Sequence, residues 1–279
     1  MKKLLLLILS GSAVFSSARA QEAPVQSEVP TEVAKEEPPV KEKLFDANVS
    51  LHNQWYWRGS AIGLSPMVAT TISMKTKSGF AVGSWNGFGL DGVFKDVDLF
   101  VSYSAGGFTL ALWDIYNFTS PTSGAADPKT APTNYFDYRS KTTRHFLDLS
   151  ASYDFKKVPL SLFAATIIHG RDRGLTAADV PGTYTRSGEN RYSTYLKGTY
   201  GFKPAEGVSV KPFVSYGFVL NNVDNTSFWG AKSSGVTEAG ITVGKSIKIT
   251  DTWQVGVTGG VVASPMNKSV NGLLGISLF

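Results

Sequence analysis

The residues able to do chemistry in this 279-residue chain are charged side chains set singly into stretches that alternate apolar and polar. Asp96 and Asp98 lie in KDVDLFVSYS, Asp148 in HFLDLSASY, Lys197 in STYLKGTY, Lys211 in VSVKPFVSY and Glu238 in VTEAGITV. A period of two sends alternate residues of a strand to opposite faces, so these charges share a polar face backed by an apolar one. Charges of both signs on the inside of a closed sheet would order water and select solutes by charge, or pair across a narrow lumen and satisfy one another, as interior charges commonly do. Asp114 joins them if the hairpin over 94–118 turns through three residues, Ala105 to Gly107, which sets Asp98 opposite Asp114. A two-residue turn puts Asp114 on the apolar face instead, because one residue of slip exchanges the faces. We assign Asp114 to the polar face, since repulsion there is screened and relieved by neutralising one carboxyl, and lipid offers neither remedy.

Catalytic chemistry finds no comparable set. His52, His145 and His169 have neither metal-ligand spacing nor a Ser-His arrangement, and structural roles suit them better. The chain has no cysteine, which excludes disulfides, thiolate metal sites and a lipidated cysteine. The glycines between Gly83 and Gly89 lie within and after a strand pattern with no helix following, so they form no phosphate loop. No enzyme activity, metal or cofactor is expected.

The elements that must position the charges follow an export leader. Lys2 and Lys3, the apolar run from Leu4 and the Ala18-Arg19-Ala20 motif read as a signal peptide, residues 1–20, cut before Gln21. Residues 21–43 are rich in Pro and Glu without an apolar face and read as a disordered periplasmic tail. Of 27 basic residues, Lys2, Lys3 and Arg19 leave with the leader, so 24 face 22 acidic ones. So small a net charge excludes a nucleic-acid partner. No stretch after the leader reaches the roughly 20 apolar residues of a spanning helix.

Residues 44–279 instead carry twelve strand patterns, at about 46–57, 66–76, 80–88, 95–104, 108–118, 144–155, 159–169, 190–202, 207–221, 235–249, 252–263 and 269–279. Most reach the roughly 9 to 11 residues of a tilted spanning strand. Short links such as Lys77-Ser78-Gly79 and Thr250-Asp251 alternate with long ones such as 119–143 and 170–189. The expected fold is therefore all-β, a transmembrane antiparallel up-and-down barrel with short periplasmic turns and long outer loops. Tyr103, Phe108, Tyr153, Phe155, Tyr200, Phe202, Trp253 and Phe279 would form an inner aromatic girdle, and Trp55, Trp57, Tyr116, Phe118 and Trp229 an outer one. Lys129, Arg139, Lys141, Arg144, Arg171, Arg173, Arg186 and Arg191 make the outer rim basic, suited to anionic solutes or to lipopolysaccharide phosphates. The terminal Phe279 suits the outer-membrane insertion machinery.

The runs NQWYWRG from Asn53 to Gly59, Ser65-Pro66-Met67, GFAVGSW from Gly79 to Trp85 and Val97-Asp98-Leu99 resemble the TorF-like porins, exported bacterial proteins of largely unassigned function. The likeness extends in order over most of residues 46–279 and is strongest in the first third. It implies an outer-membrane pore and carries no catalytic or binding residue. The expectation is an outer-membrane channel for passive diffusion of small hydrophilic solutes. The alternative is a non-conducting barrel with a ligand-binding or envelope-structural role.

Overall fold

The computed structural model describes residues 44–119, 134–177, 184–185 and 188–278. The leader, the Pro/Glu-rich tail, Lys129, Arg186 and Phe279 lie outside them. Twelve strands form one antiparallel ring. They are β1 (Phe45–His52), β2 (Met67–Lys75), β3 (Phe80–Gly89), β4 (Lys95–Ala105), β5 (Phe108–Asn117), β6 (His145–Asp154), β7 (Leu160–Gly170), β8 (Ser193–Tyr200), β9 (Val208–Val219), β10 (Ser234–Lys248), β11 (Gln254–Ser264) and β12 (Ser269–Ser277). Phe202–Ala205 continues the line of β8 along β9. Each strand pairs with its neighbours in sequence, and Ser50 opposite Ser277 closes β1 on β12.

The alternation sorts side chains as expected. Leu51, Ile72, Val82, Leu99, Val101, Leu110, Leu162, Leu196 and Leu274 are exposed on the outside, forming the apolar band with which a barrel meets lipid. Phe80, Tyr103, Phe108, Tyr153, Phe155, Tyr200, Phe202 and Trp253 are exposed beside the short turns, where the inner girdle belongs. One of the two-residue turns is Gly106-Gly107, both at positive φ, between Ala105 and its partner Phe108. Only glycine takes that pair of conformations without strain.

Register shifts interrupt the ladders, and two of them matter for the lumen. Between β6 and β7 the step falls at Leu147 and Asp148, and between β9 and β10 at Ser215 and Tyr216. Each bulge re-aims its neighbours, and each lies beside an inward carboxylate, Asp148 or Glu238. The hydrophobic core is inside the ring. Trp85, Phe100, Trp113, Ile115, Phe146, Phe163, Ile167 and Tyr195 from β3 to β8 pack there against Trp55 and Trp57, which belong to no wall strand. The opposite wall, β10 to β12, turns mainly small residues inward, including Gly240, Gly244, Gly260 and Gly275.

Candidate functional site: a hairpin plug and its arginine latch

The chain leaving β1 folds into the lumen. Trp55–Trp57 and Ser60–Gly63 pair as a small hairpin whose two turn residues, Arg58 and Gly59, have φ of 44° and 95°. Positive φ at both central residues is the type I′ pattern, for which Asn-Gly is the usual choice. An arginine there holds a sparsely populated backbone conformation. Trp55 stacks on Trp85 of β3 with ring centroids 4.5 Å apart, and Trp57 meets Trp229 at 5.1 Å and Phe146 at 5.6 Å. Tyr56, on the hairpin's other face, lies toward Glu238 and Ser264 of the opposite wall. The hairpin is thus packed on both faces inside the ring.

Arg58 is the tip of this plug and is 4% exposed. It donates to both carboxylate oxygens of Asp148, at 2.6 and 3.0 Å, and Asp148 is fully buried. The guanidinium carbon lies 4.8 Å from the ring centre of Trp57, 5.2 Å from Trp229 and 5.3 Å from both Phe163 and Tyr195. A bidentate carboxylate and surrounding π faces are what a desolvated guanidinium needs. The hydroxyl of Tyr195 donates in turn to Glu238. The side-chain amide of Asn267, in the last outer turn, donates to the carbonyl of Gly59 at 2.9 Å and that of Trp229 at 3.0 Å, clasping the plug to two loops.

The remaining expected lumen charges also lie inside the ring. Asp96 and Asp98 are buried on β4 and hydrogen-bond to one another, and Asn117 donates to Asp96 at 3.0 Å. The Lys197 ammonium lies 4.6 Å from the ring centre of Phe213, and Lys211, half-buried, is opposite Thr242. Asp114 corrects our expectation. The turn is two residues long and centred on Gly106-Gly107, so Asp114 pairs with Leu99 and Asp98 with Ile115. It therefore stands on the outward face with Leu110 and Leu112. Near the outer rim it escapes hydrocarbon by accepting a 2.5 Å bond from the Tyr138 hydroxyl and a 2.6 Å contact from His145 Nδ1. His145 Nε2 contacts the Tyr135 carbonyl. His52 bonds Ser50 and His169 bonds the Tyr138 carbonyl. Among the described residues no cluster of potential ligands could hold a metal.

The outer rim also departs from expectation. Trp55, Trp57 and Trp229 are 1–5% exposed inside the lumen, so they form no lipid-facing girdle. Arg139 is held bidentately by Asp137, Arg191 is buried against Asp224, and Arg144 is also buried. Arg171 reaches the Asn117 carbonyl, Arg173 is half-buried and Lys141 is exposed. Among the described residues the rim thus mixes buried loop staples, Arg191 and Arg144, with the exposed Arg139 and Lys141. The residues missed in sequence are Arg58 and its cage. The signal was the run Trp55-Tyr56-Trp57-Arg58-Gly59: consecutive aromatics cannot all face lipid, and Arg-Gly marks a tight turn.

No family model and no curated protein matches the chain, so the TorF-like resemblance stands on the quoted residues alone. Solved structures similar to it include the NanC porin, at 11% identity and TM-score 0.45 over 83% of this chain and 98% of that one. The KdgM porin aligns at 12% identity and TM-score 0.42 over 84% and 99%. The translocator domain of the autotransporter NalP from Neisseria meningitidis aligns at 10% identity and TM-score 0.37 over 86% and 89%. At these scores the ring closure and outward apolar band of this chain itself, not the neighbours, carry the description of the fold.

Proposed function

We propose that the protein is a porin-like outer-membrane channel for small hydrophilic solutes, shut at its outer half by the hairpin plug and opened by the plug's withdrawal. The leader would export it and the insertion machinery would place it. Its outer loops would meet lipopolysaccharide. The observation that carries a movable plug is its energetic character. Arg58 holds a left-handed backbone conformation, which costs of order 1–3 kcal/mol. A permanent core has no need of such a cost, whereas an element that must leave is drawn from the less stable end of a structure. The near-complete burial of Trp55 and Trp57 favours a second reading, a barrel that never conducts.

Planar-bilayer recording separates the two. The full protein should be mostly closed, and a variant with residues 54–63 replaced by a short Gly-Ser link should conduct steadily. A linked variant that folds, as shown by a shift in gel mobility on boiling, yet stays silent would establish the non-conducting reading.

A further inference from the structure

We infer that the cage around Arg58 is a binding site for organic cations bearing a planar guanidinium or similar group, and that Arg58 is its resident occupant in the closed barrel; the inference rests on the plug being able to withdraw. The wall supplies the site almost by itself. Asp148, Phe163 and Tyr195 come from β6, β7 and β8, three neighbouring strands, and form one continuous patch. Trp229 adds a fourth side from the outer loop after β9, fixed by its indole N–H donating to the Thr194 carbonyl at 3.2 Å. Only Trp57 and the guanidinium itself arrive with the hairpin.

The charge balance has the same sense. Around the guanidinium the wall offers Asp148 directly and Glu238 through the Tyr195 hydroxyl. When the hairpin withdraws, the patch therefore keeps a carboxylate and π faces and loses its cation. A carboxylate flanked by aromatic rings selects a soft, weakly hydrated cation over sodium, because the rings replace water around a delocalised charge but not around a strongly hydrated one. A solute of this class would compete with Arg58, and its apparent affinity would be reduced by the fraction of time the latch is open.

The test uses the full-length protein in detergent, methylguanidinium as the probe and tryptophan fluorescence as the readout, so binding is scored apart from conduction. Arg58→Gly empties the cage while keeping a turn that favours positive φ. In this variant methylguanidinium should produce a saturable change that urea and sodium do not, and Asp148→Asn should abolish it. In the wild type the same change should appear with a midpoint about tenfold or more higher. A folded Arg58→Gly barrel that does not respond overturns the inference, as does a response unaltered by Asp148→Asn. A wild type silent at every sub-denaturing concentration overturns it too, since the cage would then never open to solute. If Arg58→Gly does not fold alone, methylguanidinium in the refolding mixture should restore folded yield, and no restoration counts against the site.

Discussion

Arg58 concentrates the energetics of the lumen in one side chain. Removing one member of a buried, hydrogen-bonded ion pair strands the other charge, so Arg58→Ala should destabilise the barrel by about 3–5 kcal/mol in a denaturant titration. Replacing Arg58 and Asp148 together by neutral residues should cost less than the two single changes summed, because no charge is then left buried alone. On the outside the rule is reversed. Leu99 is exposed in the middle of β4, and Leu99→Arg should cost about 2–4 kcal/mol when folding is measured in lipid vesicles. The inward set Asp96, Asp98, Asp148 and Glu238 was legible because alternation assigns a face without knowing any partner. Asp114 was not, since its face depends on where a turn containing two consecutive glycines begins, and sequence-local arguments left that one residue uncertain. The cost of a carboxylate toward lipid was argued correctly but met by another means, the bonds from Tyr138 and His145.

The hairpin between β1 and β2 carries the proposed function, and little in the sequence announced it. A strand's period reports which face meets lipid, but where a loop comes to rest is decided by what the opposite wall leaves open. Here the aromatic side from β3 to β8 and the small-residue side from β10 to β12 leave a slot one hairpin wide. Gly59 shows how closely it fits: a Cβ there would stand 2.7 Å from the Thr237 carbonyl oxygen at the β10 bulge. Gly59→Ala should therefore loosen the plug and raise open probability in bilayer recordings while the ring persists. The loops above are held separately. Burial pushes the Asp224 carboxyl up, but bonds from Arg191, the Leu175 amide and Thr226 outweigh it and hold the group well below the ordinary carboxylate range. A group depressed in this way contributes stability that is present above the unfolded pKa, about 3.9, and is lost only as pH falls through the lower folded value. Protease resistance of these loops should thus be the same at pH 4 and pH 7, and Asp224→Asn should abolish it at both.

For the whole molecule, twelve strand patterns with alternating short and long links were enough to read a ring, because each neighbour in sequence is a neighbour in space. That same plainness hid the content of the ring, which depends on contacts far apart along the chain. The join between first and last strands has a further consequence. Among the described residues β1 and β12 pair from Ser50 to His52 against Gly275 to Ser277, and the Leu278 amide donates to the Val49 carbonyl at 2.8 Å beyond them. At Asn53 the chain turns inward to make the plug, the Asn53 amide donating to the Leu274 carbonyl at 3.0 Å and its side-chain oxygen accepting from the Leu274 amide at 2.7 Å. On the proposed function, the plug would swing about the corner where this seam ends. We expect the hairpin to settle inside before the seam closes, since the chain that makes it leaves β1 directly at that corner. In pulse-labelling of assembly intermediates, burial of Trp55 and Trp57 should precede protection of the β1–β12 amides.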